Sequence, residues 1–263
     1  MSAIYDQIGN DYDTTRRVDS GILSELRSLL DIQKEKEYLD IACGTGNYTV
    51  ALSGLGGKWY AFDQSERMVS EARTKSSLIN WSQFDVGEIG FKSDTFDGAV
   101  CTLAIHHFPD LALAFSEVSR VLKPEAKFIV FTATPEQMRS YWLCHYFPVM
   151  MERSCEQMPS LEAVEEAMRS SGLMIESTKP FFITSQLQDF FLYSGKQRPE
   201  MYLSARVRAG ISSFCSFCSE AELENGLSQL NADIQSGSIL GVMDEYQSGI
   251  GDYLFISAAK QSG

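Results

Sequence analysis

The chain has 263 residues, 44% of them hydrophobic and 22% charged, with a formal net charge of −13. That length holds one large domain with an elaboration, or two small domains, with apolar side chains enough for a full core. The acidic balance argues against DNA, RNA or an anionic membrane surface as the main partner, because those are held by clustered Lys and Arg.

No apolar run approaches the ~20 residues that cross a bilayer. The start, MSAIYDQIGNDYD, has neither the basic nor the apolar region of a signal peptide. The six cysteines are scattered, as expected of free thiols in a reduced, cytoplasmic protein.

Residues 1–20 form no obvious strand or helix and read as an N-terminal arm. Residues 20–32 place Ile22, Leu23, Leu26, Leu29 and Leu30 on one helical face. The organising stretch is Tyr38 to Thr49, YLDIACGTGNYT. An apolar strand breaks into Ala-Cys-Gly-Thr-Gly and then into a helix. Glycines there let the backbone approach a ligand, and the helix N-terminus points donors at it. The helix Asn47–Leu55 stops at Gly56-Gly57.

A strand over Lys58–Asp63 follows, then a helix from its N-cap Ser65 to about Lys75. Ile79–Phe84 is the third strand, with Asp85 just past it. Gly98–Leu103 is a buried fourth strand that runs into Ala104-Ile105-His106-His107-Phe108-Pro109-Asp110. A helix over Leu111–Leu122 leads to strand Lys127–Thr132. Such alternation predicts a parallel sheet with right-handed crossovers.

Residues 136–157 are rich in Met and aromatics. Trp142 and Tyr146, four apart, share a helical face that lines a pocket or fills a core. A helix over Ser160–Ser171 and a strand over 173–184 precede an insert, about Ser185 to Gly249. The insert has helical stretches around Leu187–Tyr193, Pro199–Arg208 and Ser219–Gln235. Asp252–Ala259 is the last strand. The expected fold is α/β, a Rossmann-like seven-stranded, mostly parallel sheet flanked by helices, with a helical cap. The arm is 1–20; the α/β core is 21–135, 158–184 and 250–260; the substrate cap is 136–157 and 185–249.

Spacing selects the ligand. A dinucleotide fingerprint needs a third small residue where Thr49 stands. Thr49 and the acidic Asp40 therefore speak against a nicotinamide oxidoreductase. Asp63 ends an apolar run nineteen residues past Gly44, where a carboxylate accepts from both ribose hydroxyls. His106 and His107, if on a strand, point to opposite faces, so at most one meets substrate. His106 is the candidate general base; the plainer alternative is a helix cap and a packing residue. Cys215-Ser-Phe-Cys218 has metal-ligand spacing on one side only, so no metal is expected.

The motif D-x-A-C-G-T-G with a strand-end Asp resembles motif I and the following acidic motif of class I S-adenosylmethionine (SAM) dependent methyltransferases. It is most similar to the small-molecule branch that includes the menaquinone and ubiquinone methyltransferases. YDxIGxxYDxxR near the N-terminus and the histidine pair followed by Asp110 resemble the same branch. The likeness covers about residues 38–132.

It implies SAM as cofactor, with Asp63 on the ribose and Asp85 with Val86 at the adenine. Ala42, Cys43, Gly44, Gly46 and Asn47 surround the methionine part, and Asp40 favours its ammonium. Gln64, Met68 and Leu103 complete the cofactor site. Tyr12 lies near the sulfonium, and Arg16 pairs with a carboxylate of cofactor or substrate. Tyr5, His107, Trp142 and Tyr146 are the expected substrate contacts. The implied reaction is methyl transfer to an O, N, C or S atom of a small molecule; a non-catalytic SAM-binding regulator is the alternative.

Overall fold

A computed structural model describes residues 12–262. The central sheet has seven strands: β1 (Glu37–Ile41), β2 (Lys58–Asp63), β3 (Asn80–Gln83), β4 (Phe96–Thr102), β5 (Leu122–Thr132), β6 (Leu173–Phe181) and β7 (Tyr253–Lys260). Their spatial order is β3-β2-β1-β4-β5-β7-β6. All neighbours pair in parallel except at β7, which runs antiparallel to both β5 and β6. The order reverses between β1 and β4, the switch point where open α/β sheets bind ligands beyond the strands' carboxyl ends.

The central strands are covered on both faces, which is why they read as unbroken apolar runs rather than alternations. Leu39 and Ile41 face one core cluster with Phe62, Ala99, Cys101 and Phe128. That cluster is closed by α5 (Leu111–Val121) and α9 (Leu161–Ser170), whose buried Phe115, Val118, Val164 and Met168 face the sheet. Tyr38, Val100, Ile129 and Phe131 belong to the opposite cluster, with α2 (Ser20–Leu30) and α3 (Asn47–Ser53).

The second cluster does not stop at the sheet. It runs on through α6 (Pro135–Arg139), α7 (Leu143–Tyr146) and α8 (Pro148–Gln157) into the later insert. There it takes in residues around α10 (Ala205–Ala209), α11 (Ser212–Phe217), α12 (Glu220–Ser236) and α13 (Ile239–Glu245). Tyr141 stacks on Tyr193 with ring centroids 3.8 Å apart. Stacking of this kind adds to area burial and fixes one geometry.

Local chemistry sets the element ends. Ser65 caps α4 (Glu66–Lys75) by accepting from the Met68 amide, and Thr134 with Gln137 forms a reciprocal capping box on α6. Two expectations fail. Strand β6 stops at Phe181, and Leu187–Tyr193 is irregular rather than helical. In that stretch the Phe190 amide donates to the Thr15 carbonyl, and Asp189 is buried and bound by Arg16 and Tyr48. Tertiary bonds take the groups that a helix would need. Among the described residues no helix is long and apolar enough to cross a membrane.

Candidate active site

The site grows from the end of β1. Ala42 takes φ 54°, Gly44 φ 55° and Gly46 φ 74°. Such a turn lifts the chain off the strand and feeds it into α3. The two glycines serve different ends. A Cβ on Gly46 would lie 2.3 Å from the Trp81 ring, whereas one on Gly44 would meet nothing within 4 Å. Gly46 is required by packing, and Gly44 leaves a bare face on the cavity.

Asp63, at the end of β2, draws the loop in. Its Oδ2 accepts from the Gly44 amide at 2.9 Å and its Oδ1 from the Ser65 amide at 2.9 Å. A carboxylate held this way has a set direction, and its two oxygens together offer about four acceptor positions. Asp40 lies beneath the loop and is 1% exposed. The Thr49 hydroxyl donates to its Oδ2 at 2.6 Å, while its Oδ1 is buried with no hydrogen-bond partner. Burial, with the Asp63 charge nearby, pushes its pKa up to about 7. Thr49, at the third fingerprint position, thus serves to hold a buried acid.

Around this loop opens a cavity. Of the residues expected at the cofactor, Arg16, Ala42, Cys43, Gly44, Asn47, Asp63, Gln64, Met68, Asp85, Val86 and Leu103 line it. Gly46 and Asp40 do not; they shape the loop from behind. Asp85 sits at the rim and accepts from the Gly87 amide at 2.8 Å, so it is a turn residue as well as a lining one. Cys43 is an inert thiol, its pKa raised well above the ordinary value by burial. Tyr5 lies outside the described residues, as does the side chain of Tyr12.

Several expectations need correction. Arg16 pairs with Asp189 at 2.6 Å, a carboxylate of the protein itself. Trp142 and Tyr146 are 1% and 3% exposed and line neither large cavity. Their polar atoms are spent within the fold, on the Lys196 carbonyl and on Asp233. They fill the core because Trp142, just before α7, and Tyr146, at its end, both turn inward.

The histidines are not on a strand. They sit in a 3₁₀ turn, Ile105–His107, with ring centroids 3.9 Å apart. His107 lines the first cavity, and burial lowers its pKa to about 4. His106 lines a second cavity, and Arg16 and Leu103 are in the walls of both.

The sequence pattern gave no sign of how the arm is fastened. Asp13, in α1 (Tyr12–Thr15), accepts from the Thr45 hydroxyl at 2.6 Å and the Asn47 amide at 3.0 Å, and pairs with Lys75 at 2.6 Å. Asp189 was equally hidden. Its partners Arg16 and Tyr48 are 173 and 141 positions away, so no local pattern could point to it. Among the described residues no group of three His, Cys, Asp or Glu is placed to hold a metal ion.

An adenosyl sulfonium carrying an amino acid end fits these residues. The unpartnered Asp40 oxygen, the bare Gly44 face and the oriented Asp63 suit an ammonium, a close backbone approach and a ribose in turn. Fold and site together define the SAM-dependent methyltransferase class.

Comparison with known proteins agrees. Residues 39–130 match the family described as methyltransferase domain. Demethylmenaquinone methyltransferase of Bacillus cereus (strain B4264) is 24% identical over 210 residues, covering 68% of this chain and 89% of that protein. A crystal structure from Anabaena variabilis, assigned as a methyltransferase of an antibiotic biosynthesis pathway, is 30% identical with TM-score 0.83. It covers 92% of this chain and 98% of its own. Geranyl diphosphate C-methyltransferase of Streptomyces coelicolor shares the fold at 14% identity and TM-score 0.59, over 92% of this chain and 80% of its own. The chain belongs to the class I SAM-dependent methyltransferases and is an enzyme of that family.

Proposed function

We propose that this methyltransferase acts on a small molecule held in the second cavity, with its methyl donor in the first. The observation that carries the reading is that Leu103 and Arg16 stand in the walls of both cavities. The bound cofactor supplies an electrophilic methyl group on sulfur. The chain's own residues supply position: Asp63 the ribose contact, Asp85 and Val86 the adenine contact, and residues 42–47 the methionine cradle.

Asp40 favours the ammonium from below, and His106 stands on the acceptor side. Alignment of donor and acceptor in a closed, dry space is the main source of rate. Residues 1–20 act as an arm, and 136–157 with 185–249 as the cap that sets specificity, over a core of 21–135, 158–184 and 250–260. A net charge of −13 weighs against a nucleic acid partner, and the free cysteines support a cytoplasmic setting.

Calorimetry of metal-free protein with S-adenosylhomocysteine (SAH) tests the reading. The expected result is saturable binding at micromolar ligand. No detectable heat at millimolar SAH overturns it.

A further inference from the structure

The wall of the second cavity is nearly as polar as it is apolar. Several of its polar groups are spent inside the fold. Ser154 donates its hydroxyl to the Met150 carbonyl at 2.8 Å, and the Tyr253 hydroxyl accepts from the Tyr193 amide at 3.3 Å. Arg16 is engaged by Asp189 at 2.6 Å. His106 Nδ1 has no open surface.

Three polar side chains remain. Gln157 ends α8, and Ser212 and Ser213 open α11. All three line the cavity, and none makes a side-chain hydrogen bond with a described residue. A serine inside a helix can turn its hydroxyl back to a carbonyl of the preceding turn, as Ser154 does. Ser212 and Ser213 stand where α11 has no preceding turn to offer one. Ser213 is 8% exposed, yet its oxygen is not among the sealed, unpartnered atoms. Its open surface faces the cavity that it lines. Hydroxyls so placed commonly await a ligand or water.

Neither α8 nor α11 adds a residue to the described wall of the first cavity, whereas Leu103 and Arg16 stand in both walls. Leu103 and Arg16 therefore mark the methyl-donor end, and the three free groups meet the part of the acceptor away from it. Each of the three both donates and accepts, and none is charged. No acidic residue is among the described lining, so a cationic amine would lose its hydration without gaining a counter-charge. The Arg16–Asp189 pair offers little net charge to a carboxylate. A polyol would set hydroxyls against the apolar half of the wall, where Met138, Met158 and Ile211 stand. An apolar body with one amide group matches both halves.

Building on the methyltransferase reading above, we propose that Ser213 and Gln157, with Ser212 beside them, select an uncharged acceptor whose apolar body carries a carboxamide at the end remote from the methylated atom. The amide carbonyl accepts from the serine hydroxyls, and the amide N–H donates to Gln157 Oε1. A ligand without the N–H leaves that oxygen unmet. Sites built to hydrogen-bond one group reject analogues that lack it, for this reason.

The test is titration of the SAH-bound protein with benzamide and 2-naphthamide, beside the matching methyl esters, carboxylates and arylmethylamines. At least one amide binds tenfold or more tighter than its ester, its carboxylate and its amine. Ser213→Ala and Gln157→Leu each keep SAH affinity, since neither residue lines the first cavity, and each cuts the amide-to-ester affinity ratio threefold or more. A merely structural role would weaken amide and ester alike and leave the ratio unmoved. The proposal is overturned if SAH binds but neither amide does, if an ester, carboxylate or amine comes within tenfold of the better amide, or if either variant changes the ratio less than threefold. Failure of SAH itself to bind overturns the methyltransferase reading, and this proposal falls with it.

Discussion

Asp40 sits in a trade between stability and binding. In the folded chain its pKa is raised to about 7 by burial, against an ordinary value of 3.8. From pH 4 to pH 7 the folded state keeps a proton that the unfolded state has released. Stability therefore falls as pH rises through that window, by roughly 4 kcal/mol if the full shift is expressed. Asp40→Asn removes the titration. Urea unfolding at pH 4.5, 6 and 8 should find the variant gaining on the wild type as pH rises, while its SAH affinity drops tenfold or more. A constant difference across pH would mean that Asp40 is not ionised at the cost described. The acid itself was legible from its place ahead of the glycines. Its buried state was not, because that depends on Thr49 and on the two sheet neighbours, β2 and β4.

At the scale of elements, α1 is four residues long, too short to persist without outside bonds. Those bonds are Asp13 to Thr45, Asn47 and Lys75 on one side, and Arg16 to Asp189 on the other. Burial opposes ionisation of Asp13, but the hydrogen bonds from Lys75, Thr45 and Asn47 outweigh it, so its pKa lies below the ordinary value. The stabilisation is present above pH 3.8 and lost as pH falls through that lower value. Asp13→Ala should free the arm at a cost of about 1–2 kcal/mol, since its side chain is 33% exposed. Trypsin should then cut after the exposed Arg17 roughly 5- to 30-fold faster, with little change in global unfolding. An unchanged cleavage rate would show that Asp13 does not hold the arm. The strands and main helices were readable because their periodicity is local. Leu187–Tyr193 was misread because Asp189 and Phe190 are claimed by residues far away in sequence, and pattern alone carries no trace of that.

For the molecule as a whole, the question is where an acceptor enters. The aromatic run over 136–157 invites the idea of a lid that lifts as a unit. Its packing argues otherwise. Tyr141, Trp142, Phe147 and Met150 are at most 1% exposed and share one apolar cluster with Phe131 and Phe255 of the sheet. Lifting α6 to α8 would open the core itself. The weaker wall is elsewhere. Helix α10 has five residues and buries none of them, and α11 has six and buries Ser213 and Phe214. Ile211, Ser212 and Ser213 line the second cavity. Short helices with little buried surface open at low cost, and a gate of this kind admits substrate and then excludes water. Hydrogen exchange should therefore be fast across 205–217 and slow across α6 to α8 in the free protein. SAH alone should slow exchange in 42–47 and leave 205–217 fast. SAH together with a bound acceptor molecule should slow 205–217 as well. If α6 to α8 exchange as fast as 205–217, the long helical segment does move as one body, and its aromatic packing is weaker than its burial implies.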